Sequence, residues 1–233
     1  ITEERLSESV KKILIAKAKA GLVNNSPKSS ASILTKLNTP KDTLLYSKAM
    51  ESAITLVKNN NDKIQIDPGR KYLHVNFGED GKAFYNQLNR TNNIDSYDKD
   101  SYESLYQKTD YESIIITYHG SNSSPYNSYK IPKDVLDIID SISLNNEVIL
   151  NLFLNPYSLN SFNSLDNIES IVISYQNSVI SQEISADLIS GYRTFSGKLP
   201  VSTKFFPLNH GLSMDKKKLL SYSRPSYVGF NPK

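Results

Sequence analysis

A histidine followed by hydroxyl and amide side chains is the first group of residues that could carry chemistry. His119 comes directly after the apolar run 113–118, and Ser121 and Asn122 follow within three residues. Open α/β sheets bind ligands beyond the carboxyl ends of their strands, which is where these side chains are predicted to lie. They form a candidate ligand rim, and an ordinary polar loop is the alternative interpretation.

A glycine-flanked acidic turn, Gly78-Glu79-Asp80-Gly81, is the second candidate. Its glycines are similar to those of a phosphate-binding turn, but a dinucleotide fingerprint needs the spacing G-x-G-x-x-G. The two carboxylates would also repel phosphate, so the sequence disfavours nucleotide binding. Glu79 and Asp80 either act as an acid pair or belong to a solvated turn.

The remaining residue types exclude several classes of site. The chain has no cysteine, so disulfides, thiolate metal ligands and a cysteine nucleophile are ruled out. The three histidines are far apart in the sequence and do not show a metal-binding spacing. His74 lies inside an apolar run and His210 in a terminal turn, where we expect structural contacts. No G-x-S-x-G spacing is present, and we predict neither a metal ion nor a cofactor.

The composition is that of a globular protein. The chain has 233 residues, of which 38% are hydrophobic and 22% charged, enough for one large domain or a domain with an appendage. The formal net charge is +3, and the Lys and Arg residues are spread along the chain, which disfavours a nucleic-acid partner. No apolar run approaches the ~20 residues that cross a bilayer. The first residue is Ile1, so we expect the chain to be part of a longer polypeptide.

Apolar runs rich in Ile and Val alternate with helical patterns through the centre of the chain. The predicted strands are 72–77, 113–118, 147–154 and 170–175, and the predicted helices are 82–88, 133–142 and 181–189. A further helix is predicted from about Asp42 to Val57. Strands alternating with helices predict an α/β fold with a mostly parallel sheet between two helical layers. Right-handed crossovers make it doubly wound and flavodoxin-like.

An amphipathic helix is predicted at the amino-terminal end, from Thr2 to Ala20. Leu6, Val10, Ile13 and Leu14 recur at helical spacing and form one apolar stripe. The polar, turn-rich residues 23–41 that follow are typical of a linker. A striped helix beside a linker needs a partner surface that the neighbouring sequence does not supply.

Several stretches, in this order along the chain, resemble parts of glycoside hydrolase family 3. They cover the chain from residue 5 to about Leu212. Residues 5–14 with Gly21-Leu22 are similar to the last helix of that family's catalytic barrel, and residues 53–59 are similar to the A-x-T-L-V-K-N start of its second domain. The segment Asn155-Pro156-Tyr157-Ser158-Leu159 is similar to an N-P-Y-x-L turn of the N-acetylhexosaminidase-like branch. Residues 186–191 with 196–202 are similar to the end of the family's C-terminal domain. Residues 222–229 resemble the lead into a β-lactamase-like domain that is sometimes fused behind it.

The resemblance implies a domain organisation. Residues 1–22 would be the last helix of a preceding barrel, 23–41 a linker, 42–212 the C-terminal α/β domain, and 213–233 a tail or linker. The implied partner is the catalytic barrel of the same polypeptide, with carbohydrate as a further ligand. The resemblance favours the periplasm or the cell envelope for the parent enzyme, and the cytoplasm stays open.

The resemblance also implies that the chain lacks a complete active site. A retaining glycosidase needs a nucleophile and an acid/base, and the family's Asp nucleophile lies on the barrel. Glucosidase-like members carry a Glu acid/base in the loop that matches residues 119–129, and here that loop has no carboxylate. The N-acetylhexosaminidase branch instead uses an Asp–His pair on the barrel. We therefore expect no catalytic residue, and at most a sugar rim formed by His119, Ser121, Asn122 and Asn155.

Two other functions stay open at this point. A free-standing sugar- or ligand-binding module would have a concave pocket near His119 and Asn155. A catalytic role would use Glu79 or Asp80 as the acid.

Overall fold

The structure is a computed structural model that describes residues 1–22, 33–37, 39–97, 101–121, 123, 129–215 and 225. It divides into two compact units, Ile1–Thr39 and Pro40–Lys233.

The first unit contains the helices α1 (Glu3–Lys19) and α2 (Ile33–Leu37). The Oγ1 atom of Thr2 caps α1 by accepting a hydrogen bond from the Arg5 backbone at 3.3 Å, and Gly21 follows the helix with a φ of +72°. A side chain is strained at such a φ, so glycine ends the helix at no cost. The predicted helix is thereby confirmed, and its stripe residues are all exposed.

The second unit holds the strands and the other long helices of the described residues. They are, in chain order, α3 (Pro40–Ala53), β1 (Thr55–Asn59), β2 (Lys71–Gly78), α4 (Lys82–Asn89), β3 (Asn93–Ser96), β4 (Ile114–His119), α5 (Lys133–Ser143), β5 (Val148–Phe153), β6 (Ser170–Ile173) and α6 (Val179–Ile189). A 3₁₀ segment, Pro156–Ser161, follows β5.

The strands form one sheet in the order β1-β6-β5-β4-β2-β3. Strand β1 pairs antiparallel with β6, and every other pairing is parallel. From the β3 edge inward, the parallel strands lie in the order β3-β2-β4-β5-β6. When these five strands are renumbered 1 to 5 along the chain, this order is 2-1-3-4-5, which is the order of flavodoxin-like sheets. The predicted doubly wound, mostly parallel sheet is therefore confirmed.

Two apolar clusters fill the space between the sheet and its helices. On one face Ile139 and Ile142 of α5 pack with Ile114, Ile116 and other strand residues. On the other face Met50, Phe84 and Leu188, from α3, α4 and α6, pack with Ile115, Ile149 and Val172. Neighbouring strand residues point to opposite faces, so the continuous Ile and Val runs supply both clusters.

The helix predicted over 42–57 is wrong at its carboxyl end. The helix ends at Ala53, and Thr55–Asn59 is strand β1. Ile54, Leu56 and Val57 are at most 2% exposed, and β1 lies against β6. Burial on both faces of the sheet selects the strand, and tertiary contacts of this kind override a helical pattern. Strand β3 was not predicted, because it is four residues long and contains one fully buried apolar residue, Ile94.

A segment near the carboxyl end, residues 195–214, covers the outer edge of β1. The Leu212 backbone N–H donates to the Leu56 carbonyl oxygen at 2.7 Å, and Phe195 bridges to Met214. A Cβ on Gly197 would collide with the carbonyl oxygens of Ala53 and Ile54. The glycine of the Ser196–Ser202 stretch is therefore required by this close approach.

His210 makes the structural contact expected from its place in a turn. Its Nε2 atom lies 2.7 Å from the Val57 carbonyl oxygen, and its ring stacks on Phe206.

None of the helices within the described ranges combines the length and the apolarity that a membrane crossing requires.

Candidate functional site

The carboxyl ends of β2 and β4 are where the sheet changes direction. From β2 the chain passes to β3 on one side of β2, and then crosses back to β4 on the other side. At the carboxyl ends of β2 and β4, Gly78 is in register with His119. Doubly wound proteins bind ligands at such a switch point. The acidic turn after β2 and His119 at the end of β4 therefore meet here.

Close packing explains the two glycines of the acidic turn. Gly78 has a φ of +80°, and a Cβ there would collide with the His119 carbonyl oxygen. A Cβ on Gly81 would collide with Asn76 Oδ1 and would lie 2.6 Å from His119 Nε2. The glycines thus let the turn lie directly against β4.

His119 is buried rather than displayed at a rim. Its side chain is 1% exposed, and its ring stacks on Phe153 at a centroid distance of 4.2 Å. Its Nδ1 atom lies 2.8 Å from Asn177 Oδ1, and because an amide oxygen accepts, Nδ1 is the protonated nitrogen. Its buried Nε2 has no hydrogen-bond partner among the described residues.

The electrostatic surroundings keep the His119 ring neutral. Burial lowers its pKa to about 4, against the opposing effects of the Asn177 hydrogen bond and of the nearby Asp80 and Glu79 carboxylates. Burial outweighs these effects because a charged imidazolium is poorly solvated in the interior. At neutral pH His119 is an uncharged packing residue.

Gln182, near the start of α6, connects the acidic turn after β2 with Asn177 in the segment after β6. Its Nε2 donates to Asn177 Oδ1 at 2.7 Å and to the Asp80 carbonyl oxygen at 2.9 Å, while its Oε1 accepts from the Phe84 backbone at 3.0 Å. Asn177 in turn donates weakly to Glu79 Oε2 at 3.4 Å. We call His119, Asn177, Gln182 and the turn 78–81 the switch-point cluster.

A second histidine lies in the same layer of the sheet. His74 Nε2 is 2.9 Å from Thr117 Oγ1, and this hydroxyl donates to Asn76 Oδ1 at 3.1 Å. Burial lowers the His74 pKa to about 3, with a smaller contribution from His119. The expectation that His74 is a hydrogen-bonded sheet residue is confirmed.

The other residues predicted to line a rim lie in different surroundings. Ser121 is partly exposed, with its Oγ 2.9 Å from Ser123 Oγ, and Asn122 lies outside the described residues. Asn155 is exposed, and its Oδ1 caps the 3₁₀ segment by accepting from the Tyr157 backbone at 3.0 Å. The described side-chain hydrogen bond of His119 is with Asn177, which also bonds Gln182, whereas that of Asn155 is within its own segment.

Sequence reasoning missed Asn177 and Gln182 as members of this region. A usable signal was present, because polar residues follow β6 at once in Ser174-Tyr175-Gln176-Asn177-Ser178. Residues placed just after a central parallel strand lie at the carboxyl edge of the sheet.

The described contacts of the switch-point cluster do not include a hydrogen-bonded pair of nucleophile and base. His119 is hydrogen bonded to an amide, and no hydroxyl or carboxylate is bonded to it within the described residues. Asp80 Oδ1 accepts a hydrogen bond from the Lys82 backbone at 2.9 Å, in the turn that leads into α4. Among the residues with described positions, no group of three or more His, Asp or Glu side chains could hold a metal ion.

Comparisons with known proteins identify the fold. No family model matches the sequence, and no curated protein matches it. Solved structures do match. A glycoside hydrolase family 3 β-N-acetylglucosaminidase from Paenibacillus sp. str. FPU-7 aligns with 91% of this chain at a TM-score of 0.60 and 17% identity. The chain shares its fold with part of this enzyme.

Two further structures show the same relationship. A β-glucosidase from Listeria innocua in complex with isofagomine aligns with 85% of this chain at a TM-score of 0.63 and 15% identity. A fungal multi-domain family 3 β-N-acetylglucosaminidase aligns with 92% at a TM-score of 0.59 and 14% identity. This chain spans 41%, 32% and 24% of the Paenibacillus, Listeria and fungal chains, respectively.

Proposed function

We propose that this chain is a non-catalytic accessory domain of a family 3 glycoside hydrolase, and that it packs on the catalytic barrel of the same polypeptide. The observation that carries the proposal is the match of nearly the whole chain to between a quarter and two fifths of each compared enzyme. A chain of this size corresponds to one part of such an enzyme, and the remaining length would hold the chemistry.

The chemistry of the switch-point cluster supports a non-catalytic role. A glycosidase needs an acid that protonates the leaving group and a second carboxylate on the other side of the scissile bond. His119 is buried and neutral, and the Asp80 carboxylate accepts a hydrogen bond from the Lys82 backbone. Glu79 is exposed, and its described side-chain hydrogen bond is with the Asn177 amide rather than with the neighbouring Asp80 carboxylate.

The apolar stripe of α1 supports packing on another domain. Leu6, Ile13 and Leu14 are 55–58% exposed, and Val10 is 44% exposed. Burying a side chain of this kind stabilises a protein by about 1.5–3 kcal/mol, so a helix that leaves four of them in water has much to gain from a partner surface. The last helix of a barrel would have such a surface beside it.

The substrate class of the parent enzyme is the finest part of the proposal, and we place it among N-acetylhexosaminides. Two features support this choice. The loop 119–129 has no carboxylate, unlike the acid/base loop that it resembles in glucosidase-like members. The turn Asn155-Pro156-Tyr157 resembles that of the N-acetylhexosaminidase branch, and its Asn side chain shapes the loop as an N-cap.

An activity assay on two lengths of chain tests the proposal. The 233-residue chain and the longer polypeptide encoded by the same reading frame would be assayed with 4-nitrophenyl N-acetyl-β-glucosaminide and 4-nitrophenyl β-glucoside. We expect turnover of the N-acetylated substrate by the longer polypeptide alone. Glu79→Gln and Asp80→Asn in that polypeptide should leave kcat unchanged.

Two results would overturn parts of this proposal separately. Turnover by the 233-residue chain that disappears in either carboxylate variant would show that the domain is catalytic. A longer polypeptide that prefers the β-glucoside would remove the assignment to N-acetylhexosaminides and leave the accessory role.

A further inference from the structure

An open groove lies on the α5 side of the sheet, away from the switch-point cluster. It has a volume of about 580 Å³ and lies between α5, the residues that lead into it, and the 3₁₀ segment Pro156–Ser161. Small-molecule sites have volumes of roughly 300–1,000 Å³, so the groove is large enough for one or two sugar rings. We call it the α5 groove.

Two tyrosine side chains line the α5 groove. Tyr129 is 43% exposed and Tyr157 is 37% exposed, and their ring centroids are 6.0 Å apart with a tilt of 50°. Two large rings that remain in water cost free energy that contacts with a ligand would recover.

Tyr157 is held at this place by its own segment. Asn155 caps the segment, and Pro156 and Leu159 anchor it in the interior on either side of the ring. The ring therefore needs little ordering when a ligand binds, which favours affinity.

A stripe of charged side chains on α5 also lines the groove. Lys133, Asp137 and Asp140 are spaced three and four residues apart, so they share one face of the helix. The Asp140 pKa is raised by burial and then by the neighbouring Asp137 carboxylate. Both carboxylates accept hydrogen bonds, and Lys133 donates them.

The balance of charges in the lining indicates the chemistry of the ligand. Lys130 and Lys133 offset Asp137 and Asp140, so the groove has no net charge. Asn160 adds an amide whose Nδ2 can donate, while its Oδ1 already accepts a hydrogen bond from the Lys204 backbone at 2.7 Å. A phosphate or a nucleic acid would face two carboxylates, whereas a neutral molecule with many hydroxyls can use every one of these groups.

From this arrangement we propose that the α5 groove binds a neutral saccharide, with a sugar ring against Tyr157 and Tyr129 and its hydroxyls bonded to Asp137, Asp140 and Asn160. A pyranose matches the lining because it has an apolar C–H face and a rim of hydroxyls that donate and accept. This binding would be a property of the chain itself, whether or not the chain supports a catalytic barrel.

A binding experiment on the 233-residue chain tests the inference. Uniformly ¹⁵N-labelled protein would be titrated with N,N′-diacetylchitobiose and, separately, with cellobiose, each to about 20 mM. We expect saturable amide shifts confined to residues 129–140 and 155–163. Tyr157→Ala should weaken binding at least tenfold, Tyr157→Phe should retain it, and Asp137→Asn should weaken it.

Matched controls separate loss of the ligand site from a general effect of substitution. Leu144→Ala removes an exposed apolar side chain at the end of α5, and Asp110→Asn removes an exposed carboxylate elsewhere on the surface. Neither residue lines the α5 groove, so both variants should bind as the unmodified chain does. Binding that survives Tyr157→Ala, shifts outside the groove, or no saturable shift with either saccharide would overturn the inference. Because this readout needs no turnover, its failure is distinct from failure of the accessory role.

Discussion

The carboxyl side of the sheet contains two regions that use similar residue types in opposite ways. In the switch-point cluster, His119 is 1% exposed, its ring is stacked on Phe153, and amides from Asn177 and Gln182 fill the surroundings. In the α5 groove, Tyr157 is 37% exposed and lines the groove together with carboxylates and lysines. A strand end in an α/β sheet is therefore a place where ligands can bind, and local packing decides whether it stays open.

The sharpest test of this comparison uses two aromatic residues four positions apart. Phe153 is fully buried beside His119, so Phe153→Ala should lower the free energy of unfolding by about 3–5 kcal/mol. Tyr157 is exposed, so Tyr157→Ala should change it by no more than about 0.5 kcal/mol. Urea unfolding followed by far-UV circular dichroism measures both. Equal costs would mean that the two rings do not differ in burial.

Acid should destabilise the switch-point cluster. The His119 pKa is about 4 in the folded chain and close to 6.5 when unfolded, so below pH 6.5 the unfolded chain takes up a proton that the folded chain does not. The free energy of unfolding is therefore highest above pH 6.5. It falls as the pH drops from 6.5 to about 4, by about 3 kcal/mol in all at 1.4 kcal/mol per pH unit. His74, with a pKa of about 3, changes stability in the same direction.

Urea midpoints measured from pH 7 to pH 4.5 check this expectation. The Glu79 and Asp80 carboxylates act on His119 as nearby charges, so the useful quantity is the difference between the unmodified chain and His119→Gln. The variant should lose about 2 to 3 kcal/mol less over this range. An identical pH dependence in the two proteins would show that His119 is accessible to protons in the folded state.

The smallest effect is expected from adding one methyl group to the acidic turn. Gly81→Ala would press a Cβ onto Asn76 Oδ1 and His119 Nε2 and should cost about 1–3 kcal/mol. Gly69→Ala is the matched control, because the nearest atom to its Cβ is Asp67 Oδ1 at 3.4 Å. If Gly81→Ala is as stable as the control, the switch point has free space and the distinction between the two regions fails.

Strand positions could be predicted where apolar runs are continuous. The run 113–118 predicted β4 to within one residue, because Ile114, Ile115 and Ile116 are all fully buried between helical layers. Strand β1 was misassigned, since Thr55–Asn59 continues directly from a helix and its pairing partner β6 lies more than a hundred residues away. Local patterns do not contain such distant pairings.

The candidate sites were less predictable than the strands. The position of His119 at a strand end followed from the sequence, but its burial depends on Phe153, Gly81 and Asn177, which come from three other parts of the chain. The α5 groove was not predicted at all. Asp137 and Asp140 read as the solvated side of a helix, and nothing near them in the sequence indicates that Tyr157 lines the same groove.

The backbone contact between Leu212 and Leu56 has a consequence for association between copies of the chain. Strand β1 ends the sheet, and the unpaired backbone of an end strand is a template on which another chain can add a strand. Residues 195–214 occupy that template. A chain shortened before residue 195 would lose this cover together with the buried side chains of Phe195 and Leu199, and would expose β1 to edge-to-edge pairing.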